Sequence, residues 1–205
     1  MSKLCFGVDL GGTTVKMGMF TAEGALLSDW EIVTRKEDNG SHILDDIAES
    51  IKSKMESESI DPADVVGVGI GVPGPVTPNG VVKGCVNLGW GDVPVEETLK
   101  DKTGFAVKAG NDANVAALGE MWRGGGAGYN NLIMVTLGTG VGGGIVHDGK
   151  IVAGAHGAGG EIGHVHVGFS SLLVCMMLGT IFCNICPLAD DLMKASDKWS
   201  SPLLA

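Results

Sequence analysis

The 205-residue chain is 44% hydrophobic, enough to bury a substantial core, and its 14 basic and 24 acidic residues give a formal net charge of −10. That composition excludes general disorder and disfavours a nucleic-acid or anionic-membrane surface, so an anionic ligand must be held locally by amides, a few cations or a metal. The cysteines Cys5, Cys85, Cys175, Cys183 and Cys186 are odd in number and unevenly spaced, against a disulfide framework, and the N-terminus lacks the long apolar segment of a signal peptide, so a cytoplasmic protein is expected.

Leu4 to Val8 and Val15 to Phe20 read as strands joined through the turn Gly11-Gly12, and Ala25 to Val33 reads as a third strand after Gly24. Ile43, Ile47, Ile51 and Met55 recur at every fourth position and predict a helix from about Ser41, with Ser41 as its cap and Asp45 and Asp46 at its positive end. Val65 to Val72 is a β-rich run ended by Pro73-Gly74-Pro75, and Gly80 to Val86 reads as the next strand. Val95 to Thr103 predicts a short helix and Phe105 to Ala109 a strand. Asn111 then caps a helix to about Arg123 with Ala113, Ala116, Ala117 and Met121 on one face. Leu132 to Leu137 and Gly144 to His147 bracket a second glycine turn.

The segment Val8-Asp9-Leu10-Gly11-Gly12-Thr13 is similar to Val135-Thr136-Leu137-Gly138-Thr139-Gly140, and each is strand, glycine turn, strand. Two such hairpins suggest two related lobes facing one nucleotide. Glycines in a turn let main-chain amides point at phosphate oxygens, Thr13 and Thr14 add hydroxyl donors, Lys16 adds a cation, and Asp9 offers hard oxygens to magnesium. The same segment taken alone also suits a hairpin with a solvated aspartate. Gly138-x-Gly140-x-x-Gly143 has the spacing of a dinucleotide fingerprint, but a strand rather than a helix follows it, and the chain has no P-loop motif.

Asn111-Asp112 stands where a strand gives way to a helix, and the field of the helix N-terminus there favours an ionised Asp112 that accepts a proton from a hydroxyl. An ordinary helix-start aspartate has the same sequence. Glu161 and His164, three apart, fall on one face of a helical turn and would together grip adjacent hydroxyls, although such pairs are also common on solvated surfaces. Asn87, before Leu88-Gly89-Trp90, offers a donor and an acceptor, or simply belongs to a turn.

Six segments, DLGGTTVK at 9–16, GVPGPV at 71–76, NLGW at 87–90, GNDANVAALGE at 110–120, TLGTGVGGGI at 136–145 and GAGGEIGH at 157–164, occur in the order and spacing of the ROK family. The chain resembles the bacterial glucokinase branch of that family over residues 4–167. The resemblance implies an α/β, ribonuclease H-like and actin-like ATPase fold of two lobes, with residues 1–110 as the first lobe, 111–167 as the start of an incomplete second, and 168–205 as a divergent tail. It implies ATP and Mg2+ as cofactors and phosphorylation of glucose to glucose 6-phosphate. Asp112 matches the family's catalytic base; Asn87, Asn111, Asp112, Glu161 and His164 match its sugar contacts, and Gly74 its sugar-pocket segment. The phosphate-loop positions matched are Gly11, Gly12, Thr13, Thr14, Lys16, Gly138, Thr139 and Gly140, with Asp9 beside them. His164 also stands where the family places a zinc ligand, and a homo-oligomer of the family's kind is implied.

Past Val167 the family's cysteine cluster is missing and the uncharged stretch 168–189 stands in its place, a change that a frameshifted or truncated reading frame would explain most simply, with a natural variant as the other reading. Cys175, Cys183 and Cys186 lack the family's spacing for zinc, and the polar residues of the stretch weaken a membrane-spanning reading. The expectation is at most weak phosphotransfer, no stoichiometric zinc, and aggregation or dimerisation through 168–189. The other readings are an N-acetylmannosamine, mannose or fructose kinase, a non-catalytic sugar-binding fragment, or the family's repressors, for whose DNA-binding segment a first motif at Asp9 leaves no room.

Overall fold

The computed structural model describes residues 3–137, 140–155, 157 and 159–164. The chain divides into two compact units, one of Met1–Met134 with Gly143–Gly160, the other of Val135–Gly142 with the described residues from Glu161 on.

The first unit is organised by a five-stranded sheet in the order β3-β2-β1-β4-β7. β1 (Leu4–Leu10), β2 (Thr14–Thr21) and β3 (Leu26–Val33) form an antiparallel meander, and β4 (Val65–Val72) and β7 (Val107–Asn111) add to β1 in parallel. Alternation decides the faces. Phe6, Val8 and Leu10 of β1 with Val68, Ile70 and Val72 of β4 form one apolar face, while Gly7, Gly69 and Gly71 point to the other.

The apolar face is covered by α1 (Ile43–Ser57) and α2 (Val95–Thr103), which pack on each other. The four-residue spacing places Ile43, Ile47, Ile51 and Met55 on the buried side of α1, each such side chain stabilising the fold by about 1.5–3 kcal/mol. Ser41 is not the cap; His42 holds that position and makes no side-chain cap bond. The displacement comes from the preceding turn, Glu37–Gly40, in which Asp38, Asn39 and Gly40 are successively left-handed at φ of 51°, 56° and 65°. Asp, Asn and Gly are the residues for which that conformation costs least.

Gly80 to Val86 does not form one strand. Only β5 (Val81–Val82) is extended, pairing with β6 (Val93–Pro94), because Gly84 at φ 59° turns the chain into a short 3-10 segment, Val86–Leu88. β7 leads directly into α3 (Asp112–Arg123), whose Val115 lies over Gly110 and Gly71 on the glycine side of the sheet. β8 (Leu132–Leu137), β9 (Val141–His147) and β10 (Lys150–Ile151) form a three-stranded sheet in the order β10-β9-β8. Along β8 the alternation leaves Ile133, Val135 and Leu137 exposed. Among the described residues no helix is long and apolar enough to cross a membrane.

Candidate functional site

In the first unit the predicted residues lie at the edge of the sheet where the parallel strands β1, β4 and β7 end, the edge at which open α/β sheets bind ligands. The strand registers fix their relation. Asp9 is the partner of Lys16 on one side and of Gly71 on the other, Gly71 is the partner of Gly110, and Val72 that of Asn111. Both the Asp9 and Lys16 side chains are exposed.

The β1–β2 turn closes through a hydrogen bond from Gly11 N to Thr14 O at 3.0 Å, and a Cβ on Gly11 would come within 2.8 Å of that oxygen. Only glycine fits there. Gly12 has open space on its Cβ side, and among the described residues the Gly12 and Thr13 amides find no backbone acceptor. Thr34, buried just after β3, holds the turn from behind: its Oγ1 donates to Gly11 O at 2.8 Å and its amide to Thr13 O at 2.9 Å. With those carbonyls tied inward, the turn presents two free amides beside the Thr13 and Thr14 hydroxyls, an arrangement suited to an anion.

At the end of β7, Asn111 caps α3. Its Oδ1 accepts from Asn114 N at 3.1 Å, while its Nδ2 donates to Gly74 O at 3.2 Å. β7 is itself held by α2, since Glu96 accepts from Ala109 N at 3.0 Å and pairs with Lys108 at 3.0 Å. The adjacent Asp112 is exposed, and its Oδ1 accepts from Ala113 N at 2.8 Å. The Asp112 Cα is within 3.6 Å of where a Cβ on Gly71 would stand. Asn114, in the first turn of α3, is buried, and its Oδ1 has no hydrogen-bond partner among the described residues.

Gly74, at φ 99°, links this corner to the next loop, for the Cys85 Cβ lies 3.9 Å from the Cβ position of Gly74. The Cys85 carbonyl accepts from both Leu88 N (3.1 Å) and Trp90 N (3.0 Å), shaping the turn that leaves Asn87 exposed. Burial pushes the Cys85 thiol above its ordinary 9.0; the amides of Leu88 and Asn87 pull it back, and the Asp112 carboxylate adds to the rise.

In the second unit, Glu161 precedes the single 3-10 turn Ile162–His164, and His164 N donates to Glu161 O at 3.1 Å. The side chains meet loosely, with His164 Nε2 4.0 Å from Glu161 Oε2 and both exposed. The turn backs onto the Val141 carbonyl beside Gly163. Gly140 is exposed. Gly138, Thr139, Cys175, Cys183, Cys186 and the stretch 168–205 lie outside the described residues.

Asp9 supplies one exposed carboxylate beside the glycine turn, which fits magnesium held by one or two carboxylates together with substrate phosphates. Zinc does not fit the described residues: no three His, Cys, Asp or Glu side chains converge among them, and His164 with Glu161 falls short of four ligands. Sequence reasoning missed Thr34, Cys85, Trp90 and Asn114 as parts of this edge. Asp38-Asn39-Gly40 was the available signal for the turn that Trp90 meets.

A mixed sheet of this order, with a glycine hairpin and a strand-to-helix aspartate at one edge, has the α/β, actin-like ATPase fold. The chain belongs to the ROK family, whose model matches residues 5–182. It is 45% identical to a glucokinase of Halalkalibacterium halodurans over 162 residues, 78% of this chain and 49% of that protein. A glucokinase of Thermotoga maritima is 39% identical over 163 residues, 78% of this chain and 50% of that one. Among solved structures, a ROK family glucokinase from Streptomyces griseus in complex with glucose and AMPPNP superposes with a TM-score of 0.69 at 36% identity, covering 80% of this chain and 51% of that chain. The chain spans about half the length of the curated relatives it matches.

Proposed function

We propose that this chain belongs to an ATP-dependent hexose kinase that transfers the γ-phosphoryl group of ATP to the 6-hydroxyl of glucose. The observation that carries the reading is the register that puts Asn111, the last residue of β7, and with it Asp112, the first of α3, on the same sheet edge as the β1–β2 glycine turn, with β4 between them. Relatives bearing the name glucokinase, at 45% and 39% identity, support glucose over other hexoses.

In this reading the free amides of Gly12 and Thr13, the hydroxyls of Thr13 and Thr14 and the Lys16 ammonium hold ATP phosphates, joined by Gly138, Thr139 and Gly140 of the second turn. Mg2+, held through Asp9 and the phosphates, neutralises charge when bound. Asn87, Asn111, Glu161 and His164 contact sugar hydroxyls, and Gly74 lines the pocket. Asn111 has committed its Oδ1 and one N–H to the protein and keeps a second N–H for the sugar. The sugar oxygen bonds to the γ-phosphorus as the bond to the β,γ-bridging oxygen breaks. ADP leaves with that electron pair, and the hydroxyl proton passes to the Asp112 carboxylate.

Residues 1–110 form the first lobe of the enzyme, 111–167 the beginning of the second, and 168–205 a divergent tail. The setting is the cytoplasm, where the product enters glycolysis, and the assembly a homo-oligomer. Titration calorimetry with glucose, with and without ATP and Mg2+, tests the reading: one glucose bound per chain is expected, and no glucose heat under either condition contradicts it.

A further inference from the structure

The segment between β3 and α1 touches both halves of this edge. At its start Thr34 holds the carbonyls of Gly11 and Thr13 through its hydroxyl and amide. Six residues later the Gly40 carbonyl accepts the Trp90 indole Nε1–H at 3.1 Å, in a buried contact. The two chains are pressed together there: a Cβ on Gly40 would lie 2.6 Å from Leu88 O and 2.8 Å from Trp90 Nε1, and one on Gly89 3.1 Å from the Asn39 Cα. Between these ends the strap has little freedom. Arg35 is paired with Asp46 of α1, Gly40 N donates to Lys36 O at 3.2 Å, and the left-handed run Asp38-Asn39-Gly40 completes the turn.

Thr34 thus governs which way the free amides of the glycine turn point, and Gly40 with Trp90 governs where the loop carrying Asn87 sits. Neither Thr34 nor Trp90 needs to touch a ligand. We propose that the strap 34–40 couples the phosphate turn to the sugar loop, with Thr34 and Trp90 as positioning residues, so that nucleotide binding at residues 11–14 strengthens sugar binding at residues 85–90. This rests on the assignment of those two loops to nucleotide and sugar. The physical path is contiguous: an anion drawn onto the Gly12 and Thr13 amides fixes the turn, the turn fixes Thr34, and the strap carries that ordering to Trp90.

The experiment measures glucose affinity of the full chain by calorimetry with and without saturating AMPPNP and Mg2+, for the parent, Thr34→Val and Trp90→Phe. In the parent, AMPPNP is expected to raise glucose affinity by about fivefold or more. Thr34→Val keeps glucose affinity without nucleotide within about twofold, and in both variants the enhancement falls below about twofold. A merely structural role would lower the melting temperature without removing the enhancement. Hydrogen exchange on the parent gives a readout that needs no variant: AMPPNP alone is expected to slow exchange of the peptide spanning 85–92. Enhancement that persists in both variants, or exchange over 85–92 unmoved by AMPPNP, overturns the strap and leaves the kinase reading standing. Failure of the parent to bind either ligand overturns the kinase reading, and the strap with it.

Discussion

The Asn111 side-chain amide donates to the Gly74 carbonyl at 3.2 Å, tying the strand-to-helix corner that carries Asp112 to the bend at Pro73–Pro75. Asp112 is exposed beside this corner, and among the described residues its side chain makes one hydrogen bond, accepted from its neighbour Ala113, so replacing it is expected to leave the fold intact.

Asp112→Asn is therefore expected to leave glucose affinity within about tenfold while phosphotransfer falls by about 100-fold or more. Paired calorimetry and product assays check this, and turnover near that of the parent removes Asp112 from the role.

Among the described residues other than its chain neighbours, none comes within 4 Å of where a Cβ on Gly12 would stand, so Gly12→Val is expected to fold and to place its bulk where a phosphate would meet the amides. AMPPNP affinity should fall by about tenfold or more with glucose affinity nearly unchanged. Equal weakening of both would mean a general loss of structure.

Gly40 combines a φ of 65° with a Cβ position 2.6 Å from Leu88 O. Left-handed backbone alone costs a residue with a Cβ about 1–2 kcal/mol, and the contact adds to it. Gly40→Ala should lower stability by more than about 2 kcal/mol in urea unfolding.

The buried Cys85 thiol, held above its ordinary 9.0, should alkylate more slowly at pH 8 in the folded chain than in urea, by about tenfold or more. Because its folded value is the higher one, the folded state holds this proton longer. The contribution to stability is present below the unfolded thiol's pKa and is lost as pH rises through the folded value. Mass spectrometry of timed iodoacetamide reactions checks the rate.

Much of the fold was legible because its elements follow simple periods. Val65–Val72, Val95–Thr103 and Leu132–Leu137 fall where pattern and breaker residues put them, and Asn111 caps α3 as its chemistry suggests. The start of α1 was not legible, because the left-handed run at 38–40 displaces the cap from Ser41. Nor was the break after Val82, which depends on Gly84 and the Cys85 carbonyl. The glycine turn and the 111–112 corner announced themselves by composition. Thr34 and Trp90 did not, since each acts on a backbone carbonyl 23 or 50 residues away, and a carbonyl has no sequence signature.

Whether this chain phosphorylates glucose is read from the 31P spectrum of the purified chain with glucose, ATP and Mg2+. A phosphomonoester on the glucose 6-oxygen is expected, formed slowly, in step with ADP, and suppressed by Asp112→Asn. ADP with inorganic phosphate and no phosphosugar, or unchanged ATP from a chain that is folded and binds AMPPNP, would contradict it.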